Sequence, residues 1–146
     1  MDSTIPRHRI ADILLAIQQM EQTYGLRCVN VFHAGDGNLH PLILFDASDP
    51  DQLLRCERFG ADILETSVRM GGTITGEHGV GVEKLGSMCV QFSPEERAQF
   101  LALKHAFDPD ELLNPGKVIP TLHRCAEGGK MVVHHGLLPF ADISRF

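Results

Sequence analysis

The chain has 146 residues, enough for one domain with a buried core, and 43% of them are hydrophobic, an ordinary content for a soluble protein. A formal charge of −6 with no basic cluster excludes a nucleic-acid surface. No apolar run approaches the ~20 residues that span a bilayer, no basic segment followed by an apolar core opens the chain, and Cys28, Cys56, Cys89 and Cys125 are widely spaced without a CxxC pair. This reads as a cytoplasmic protein with reduced thiols rather than a disulfide framework or a structural zinc module.

In chain order, Ile10, Ile13, Leu14, Ile17 and Tyr24 recur at helical spacing and predict a helix over 8–24, stopped by Gly25. Residues 28–45 read as a hairpin around Asp36-Gly37, the pair a type I′ turn favours because both central positions need φ > 0. Ser48-Asp49-Pro50 is a helix start, and Leu53, Leu54, Ala61, Leu64 and Val68 carry that helix to a stop at Gly71-Gly72. A glycine-rich segment without clear period follows, from 71 to 86. Ser93-Pro-Glu-Glu96 is a capping box opening a helix through Phe107, ended by Asp108-Pro109. Leu112-Leu113 is expected to pack a short turn ahead of Asn114-Pro-Gly-Lys117, and 121–146 shows no period.

The order of helix, strand, strand, helix, glycine loop and helix predicts an α+β fold, with helices covering a small antiparallel sheet built on the central hairpin 28–45. Two strands make a thin sheet. Further strands are expected in 2–6, 73–76 or 130–134, or else the chain is part of something larger.

Two segments carry chemistry. With Asp36-Gly37 as the turn, His33 pairs directly with His40, and residues directly opposite share a face with Cβ atoms about 4.5–5.5 Å apart. Two imidazoles at that separation can hold one metal ion. The second segment, Gly71-Gly-Thr-Ile-Thr-Gly-Glu-His-Gly-Val-Gly-Val-Glu-Lys84, is too rich in glycine for a helix interior or an ordinary strand, and it lets backbone approach a ligand closely. Glu77 and His78 sit in its middle. Neighbours in extended chain point apart, so Glu77 could complete a site with His33 and His40 while His78 faces a substrate. A two-histidine, one-carboxylate set leaves positions open for water or substrate, as catalytic metals need.

Other features read more plainly. Gly76-x-x-Gly79-x-Gly81 lacks the Lys-Ser/Thr of a phosphate loop. Asp36 is a turn residue, Glu83 and Lys84 are expected to be solvated, and His8, His105 and His123 are expected to serve no site. His123, Cys125, His134 and His135 match no standard zinc spacing.

Three motifs, His33-Ala-Gly-Asp-Gly-Asn-Leu-His40-Pro, Gly72-Thr-Ile-Thr-Gly-Glu77-His78-Gly-Val-Gly and Phe107-Asp-Pro-Asp-Glu-Leu-Leu-Asn114-Pro-Gly-Lys117, stand in the order found in one family. The chain resembles the C-terminal region of FAD-linked 2-hydroxyacid oxidases, in the vanillyl-alcohol-oxidase-like flavoprotein superfamily. The tail Ile119-Pro-Thr-Leu-His-Arg-Cys-Ala-Glu is similar to that of the flavin subunits that oxidise glycolate. The resemblance implies a C-terminal piece of a longer protein whose FAD-binding domain lies outside this sequence, with Met1 an internal methionine. Residues 1–92 would be the second half of a ferredoxin-like substrate (cap) domain. Residues 93–120 would be the helix and Asn-Pro-Gly-Lys segment that packs on the FAD domain, and 121–146 a C-terminal tail.

Carried over by position, the resemblance implies His33, His40 and Glu77 as ligands of a divalent metal, Zn²⁺ or another first-row ion. It implies His78 as acceptor of the substrate hydroxyl proton and Asn114 near the flavin. Some relatives have a polar, substrate-touching residue where this chain has Leu42, which favours the small acid glycolate. Other oxidase subunits, one of them an iron–sulfur protein, and peripheral association with the inner membrane face are implied partners. Without flavin the chain alone is expected to be inactive, and an apolar face left uncovered would favour self-association. Two other readings of the same residues are a non-catalytic metal-binding or subunit-interaction module and a metal-dependent hydrolase.

Overall fold

The computed structural model describes residues 1–120. Its elements are β1 (Ser3–Thr4), a 3₁₀ turn (Arg7–Arg9), α1 (Ile10–Tyr24), β2 (Arg27–His33), β3 (Asn38–Leu44), α2 (Pro50–Arg69), α3 (Leu85–Gln91) and α4 (Pro94–Phe107). The fold is α+β. The sheet is antiparallel in the order β1-β3-β2, extended by a bridge between Thr4 and Thr73. Of the three segments expected to hide extra strands, 2–6 supplies β1 and 73–76 only the isolated bridge at Thr73; 130–134 lies outside the described residues.

Local chemistry sets the element ends. Gly25 takes φ +61° and closes α1, a left-handed stop that glycine adopts without a Cβ penalty. Asp49 caps α2 by accepting from the Asp51 and Gln52 N–H groups, with Pro50 in the first turn. At α4 Ser93 and Glu96 cap each other reciprocally.

Ile13 and Ile17 of α1 meet Phe59 and Ile63 of α2 and Leu39 of β3, all essentially buried. Each such side chain contributes roughly 1.5–3 kcal/mol relative to exposure. Tyr24 stacks on Phe59 with ring centroids 5.3 Å apart. The inward face of α2 therefore runs through Phe59, Ile63 and Ser67, whereas Leu53 is exposed. A smaller cluster of Leu64, Ile74, Val80 and Met88 carries α3, an element the glycine-rich reading of 71–86 did not foresee. Helix α4 leans on it through Phe100 edge-on to Phe92.

The hairpin register differs from the sequence expectation. His33 pairs with Asn38, and His40 pairs with Val31. The loop is four residues long: the N–H groups of Asp36 and Gly37 both donate to the His33 carbonyl. Gly37 alone of the two takes positive φ (+75°), so the type I′ geometry is not formed. Tertiary pairing explains the difference. The Gly37 carbonyl accepts from the Ile5 N–H at 3.0 Å, so the residue that follows β1 claims the turn residue. The register moves by two residues, the side-chain period of a strand, and both histidines keep their common face.

Leu112 and Leu113 are mostly exposed rather than packed, and Asp108 orders their turn instead by accepting from both of their N–H groups. Cys28 and Cys56 are free thiols, as expected, and Cys125 lies outside the described residues. Among the described residues no helix is long and apolar enough to cross a membrane.

Candidate active site

Four side chains converge at the end of the sheet. His33 closes β2 and His40 stands on the neighbouring β3, on the same face and one diagonal step away, with ring centroids 5.3 Å apart and planes nearly perpendicular. Glu77 and His78 reach them from the irregular segment between α2 and α3. Glu77 Oε1 lies 2.9 Å from His40 Nε2, 3.5 Å from His78 Nε2 and 3.7 Å from His33 Nε2. The His78 ring stacks on His40 at 5.1 Å. The expectation that Glu77 and His78 point apart fails because the segment is bent rather than extended, and both side chains turn to the same spot.

The spacing suits a shared ion. Ligand atoms each about 2.0–2.2 Å from one metal lie roughly 3–3.5 Å apart, and the distances around Glu77 Oε1 straddle that range. His33, His40 and Glu77 form one group of potential ligands, and Asp2, His40 and His78 another. Hydrogen bonding separates the two. Both carboxylate oxygens of the buried Asp2 are already taken by the loop, whereas the Glu77 carboxylate faces the imidazoles with half its surface open. His40 Nδ1 lies 3.4 Å from the Met1 carbonyl, which can only accept, so Nδ1 carries the proton and Nε2 is turned to Glu77. A ring N–H given to a carbonyl in this way fixes the orientation of a metal-binding histidine. His40 is mostly covered while His33, Glu77 and His78 are half exposed or more, so the centre is open on one side.

Asp2 and Lys84 were not foreseen as parts of this centre. Lys84 is buried rather than solvated, because its ammonium donates to the Asp2 carbonyl at 2.8 Å and lies 3.3 Å from Asp2 Oδ2. Burial pushes the Asp2 carboxyl up. Hydrogen bonds from Thr75, His78 and Gly76, with the Lys84 charge, outweigh this and hold it well below the usual carboxylate range. The signal in the sequence was faint: a lone Asp before Ser-Thr-Ile, with its partners more than 70 residues away.

Asn114 stands apart. It is exposed at φ +47°, and its Oδ1 accepts from Lys117 Nζ. The segment after it reaches the glycine loop through one bond, Val118 N–H to the Gly81 carbonyl at 2.9 Å. Glu83 and His8 are exposed as expected, and His105 sits away from the centre, 3.1 Å from Glu111. His123 and the other tail residues lie outside the described residues.

Residues 1–118 match the family model described as FAD linked oxidases, C-terminal domain. The chain belongs to that family. It is 59% identical, over all 146 residues, to the glycolate oxidase subunit GlcD of Escherichia coli (strain K12). It is 43% identical over 117 residues, 80% of the chain, to the glycolate oxidase subunit GlcD of Bacillus subtilis. It is 34% identical over 124 residues, 85% of the chain, to the mitochondrial D-lactate dehydrogenase [cytochrome] of Arabidopsis thaliana. These stretches make up 29%, 25% and 22% of the respective relatives, so the chain spans less than a third of the curated proteins it matches. The resemblance carried by the three motifs is borne out at the level of the family.

Proposed function

We propose that this chain supplies the metal-binding and proton-accepting half of the active centre of an FAD-dependent 2-hydroxyacid oxidoreductase that converts glycolate to glyoxylate. The observation that carries the proposal is the Glu77 carboxylate oxygen ringed by three imidazole nitrogens at 2.9–3.7 Å on an open face. His33, His40 and Glu77 hold the divalent ion, and FAD is bound mainly by a part of the protein outside these residues. When bound, a first-row ion lowers the pKa of the substrate hydroxyl as a Lewis acid, and FAD accepts the hydride.

The chain's own residues do the rest. His78 takes the hydroxyl proton at Nε2, the nitrogen turned towards Glu77. His40 is kept with Nε2 inward by the Met1 carbonyl. Leu42, on the same sheet face two residues beyond His40, offers an apolar wall and no partner for a second carboxylate, which suits a small acid. The loss of C–H hydride and O–H proton together oxidises the alcohol to the aldehyde.

Residues 1–92 form the cap half-domain in this proposal, and 93–120 the segment that packs on the flavin domain. The exposure of Leu103, Phe107, Leu112 and Leu113 supports the second assignment, since such a row of large apolar side chains is expected to be covered in the whole protein. The 146 residues alone are then inactive and behave as a metal-binding interaction module. In the cell the whole enzyme works in the cytoplasm or against the inner membrane face with other subunits, one an iron–sulfur protein.

The test is His78→Ala in the flavin-containing protein. Turnover should fall by about 10²–10⁴-fold, the usual scale of a lost general base, with metal content by elemental analysis unchanged. His33→Ala should lose the metal as well. Turnover retained in His78→Ala would sink the proton-acceptor role, and bound metal retained in His33→Ala would sink the ligand set.

A further inference from the structure

Glu77 and His78 belong to no helix or strand, and both side chains are half exposed or more, so burial in a core does not set their direction. Their backbone does, and one side chain from the far end of the chain holds it. Asp2 Oδ2 accepts from Thr75 Oγ1 at 2.6 Å, from Gly76 N–H at 2.9 Å and from His78 N–H at 3.0 Å, while the Glu77 N–H lies 3.3 Å from both oxygens. Three consecutive amides thus aim at a single buried carboxylate. Lys84 closes the other side of it from the end of the same loop. The close seat also needs Gly76: a Cβ there would stand 2.5 Å from Asn38 Oδ1 and 2.6 Å from Thr4 Oγ1.

We propose that Asp2, paired with Lys84, is a positioning residue that fixes the Thr75–His78 backbone so that Glu77 and His78 present their side chains to His33 and His40. Asp2 is no ligand in this arrangement, since its oxygens are consumed by the loop. Without it the three amides lose their common acceptor, the peptide planes on either side of Glu77 are free to turn, and the carboxylate leaves the imidazoles. The inference rests on the metal reading of the site, and its own core, the anchoring of the loop, can be measured without metal.

The experiment compares the full 146-residue chain with Asp2→Ala, Lys84→Met and the double variant, by Zn²⁺ calorimetry, amide exchange at Gly76, Glu77 and His78, and thermal melting. Asp2→Ala should speed exchange at the three amides by on the order of tenfold or more and weaken Zn²⁺ binding by about 10–100-fold, the range for lost outer-shell support. The double variant removes the stranded Lys84 charge, so it should regain melting temperature yet keep both defects. A merely structural pair would regain Zn²⁺ affinity together with stability, which would overturn the proposal, as would unchanged exchange in Asp2→Ala. Zn²⁺ binding absent from the unmodified chain, with exchange still governed by Asp2, would reject the metal reading and support the anchoring. If Asp2→Ala does not fold, Lys84→Met decides: weaker Zn²⁺ binding and faster exchange support the pair, and unaltered values overturn it.

Discussion

Gly72→Ala isolates the junction that lets β1 and the glycine loop share a site. An added Cβ would stand 2.9 Å from Ile5 Cα and from the Ser67 carbonyl oxygen, and closer still to the Thr4 carbonyl oxygen. All three are backbone atoms of buried or paired segments, so none can rotate away. That Thr4 carbonyl accepts from Thr73 N–H at 2.7 Å, and Thr4 N–H donates back to the Thr73 carbonyl at 3.2 Å. Breaking the two bonds costs about 2 kcal/mol at roughly 1 kcal/mol each, and overpacking adds about 1–3 kcal/mol, giving about 3–5 kcal/mol in all. Gly79→Ala is the control. It meets no atom within 4 Å but sits at φ +79°, so it should cost only the left-handed penalty of about 1–2 kcal/mol. Urea unfolding followed by far-UV circular dichroism reads both. If Gly72→Ala proves no more destabilising than Gly79→Ala, the close backbone approach at the loop entrance is not a real constraint and the reasoning fails.

Other consequences are as direct. Tyr24 is the chain's only tyrosine and there is no tryptophan, so tyrosinate absorbance reports one residue. Burial, and the hydrogen bond its hydroxyl donates to Asp62 at 2.5 Å, push it up to about 12 from an ordinary value of 10.0. Because the folded value is the higher one, this stability is fully present below pH 10 and is lost as pH rises through 12, and Tyr24→Phe should flatten that slope. A midpoint near 10 in the folded protein would contradict the burial. Ser93→Ala removes the oxygen that accepts from the Glu96 N–H and should cost about 1 kcal/mol in unfolding free energy, whereas Ser93→Gly should cost only a few tenths. Phe59→Ala empties the fully buried centre of the main core and should cost about 3–5 kcal/mol, enough to be seen as a large fall in melting temperature.

Much was legible in the sequence because it depends on neighbours along the chain. The Gly25 stop, the Asp49-Pro50 helix start and the Ser93–Glu96 capping box are local hydrogen-bond and φ requirements, and each sits where the residues placed it. The two-residue period of a strand put His33 and His40 on one face, and that survived a register that had been misjudged, because an even shift keeps the face. Their convergence with Glu77 and His78 was anticipated only as a set of residue types and through resemblance to a family; the distances were not.

What the tertiary structure alone decided was set by contacts between distant residues. The hairpin opened to a four-residue loop because the N–H of Ile5, just past β1, donates to the Gly37 carbonyl. Lys84 looked like a solvated charge and is buried, because Asp2 offers it a carbonyl and a carboxylate at the far end of the chain. Asp2 itself carries no motif, yet its carboxylate gathers the amides of the loop that presents Glu77 and His78. A sequence records which groups need partners; which distant group satisfies a buried charge is settled when the chain closes on itself, where an unpaired one is too costly to keep.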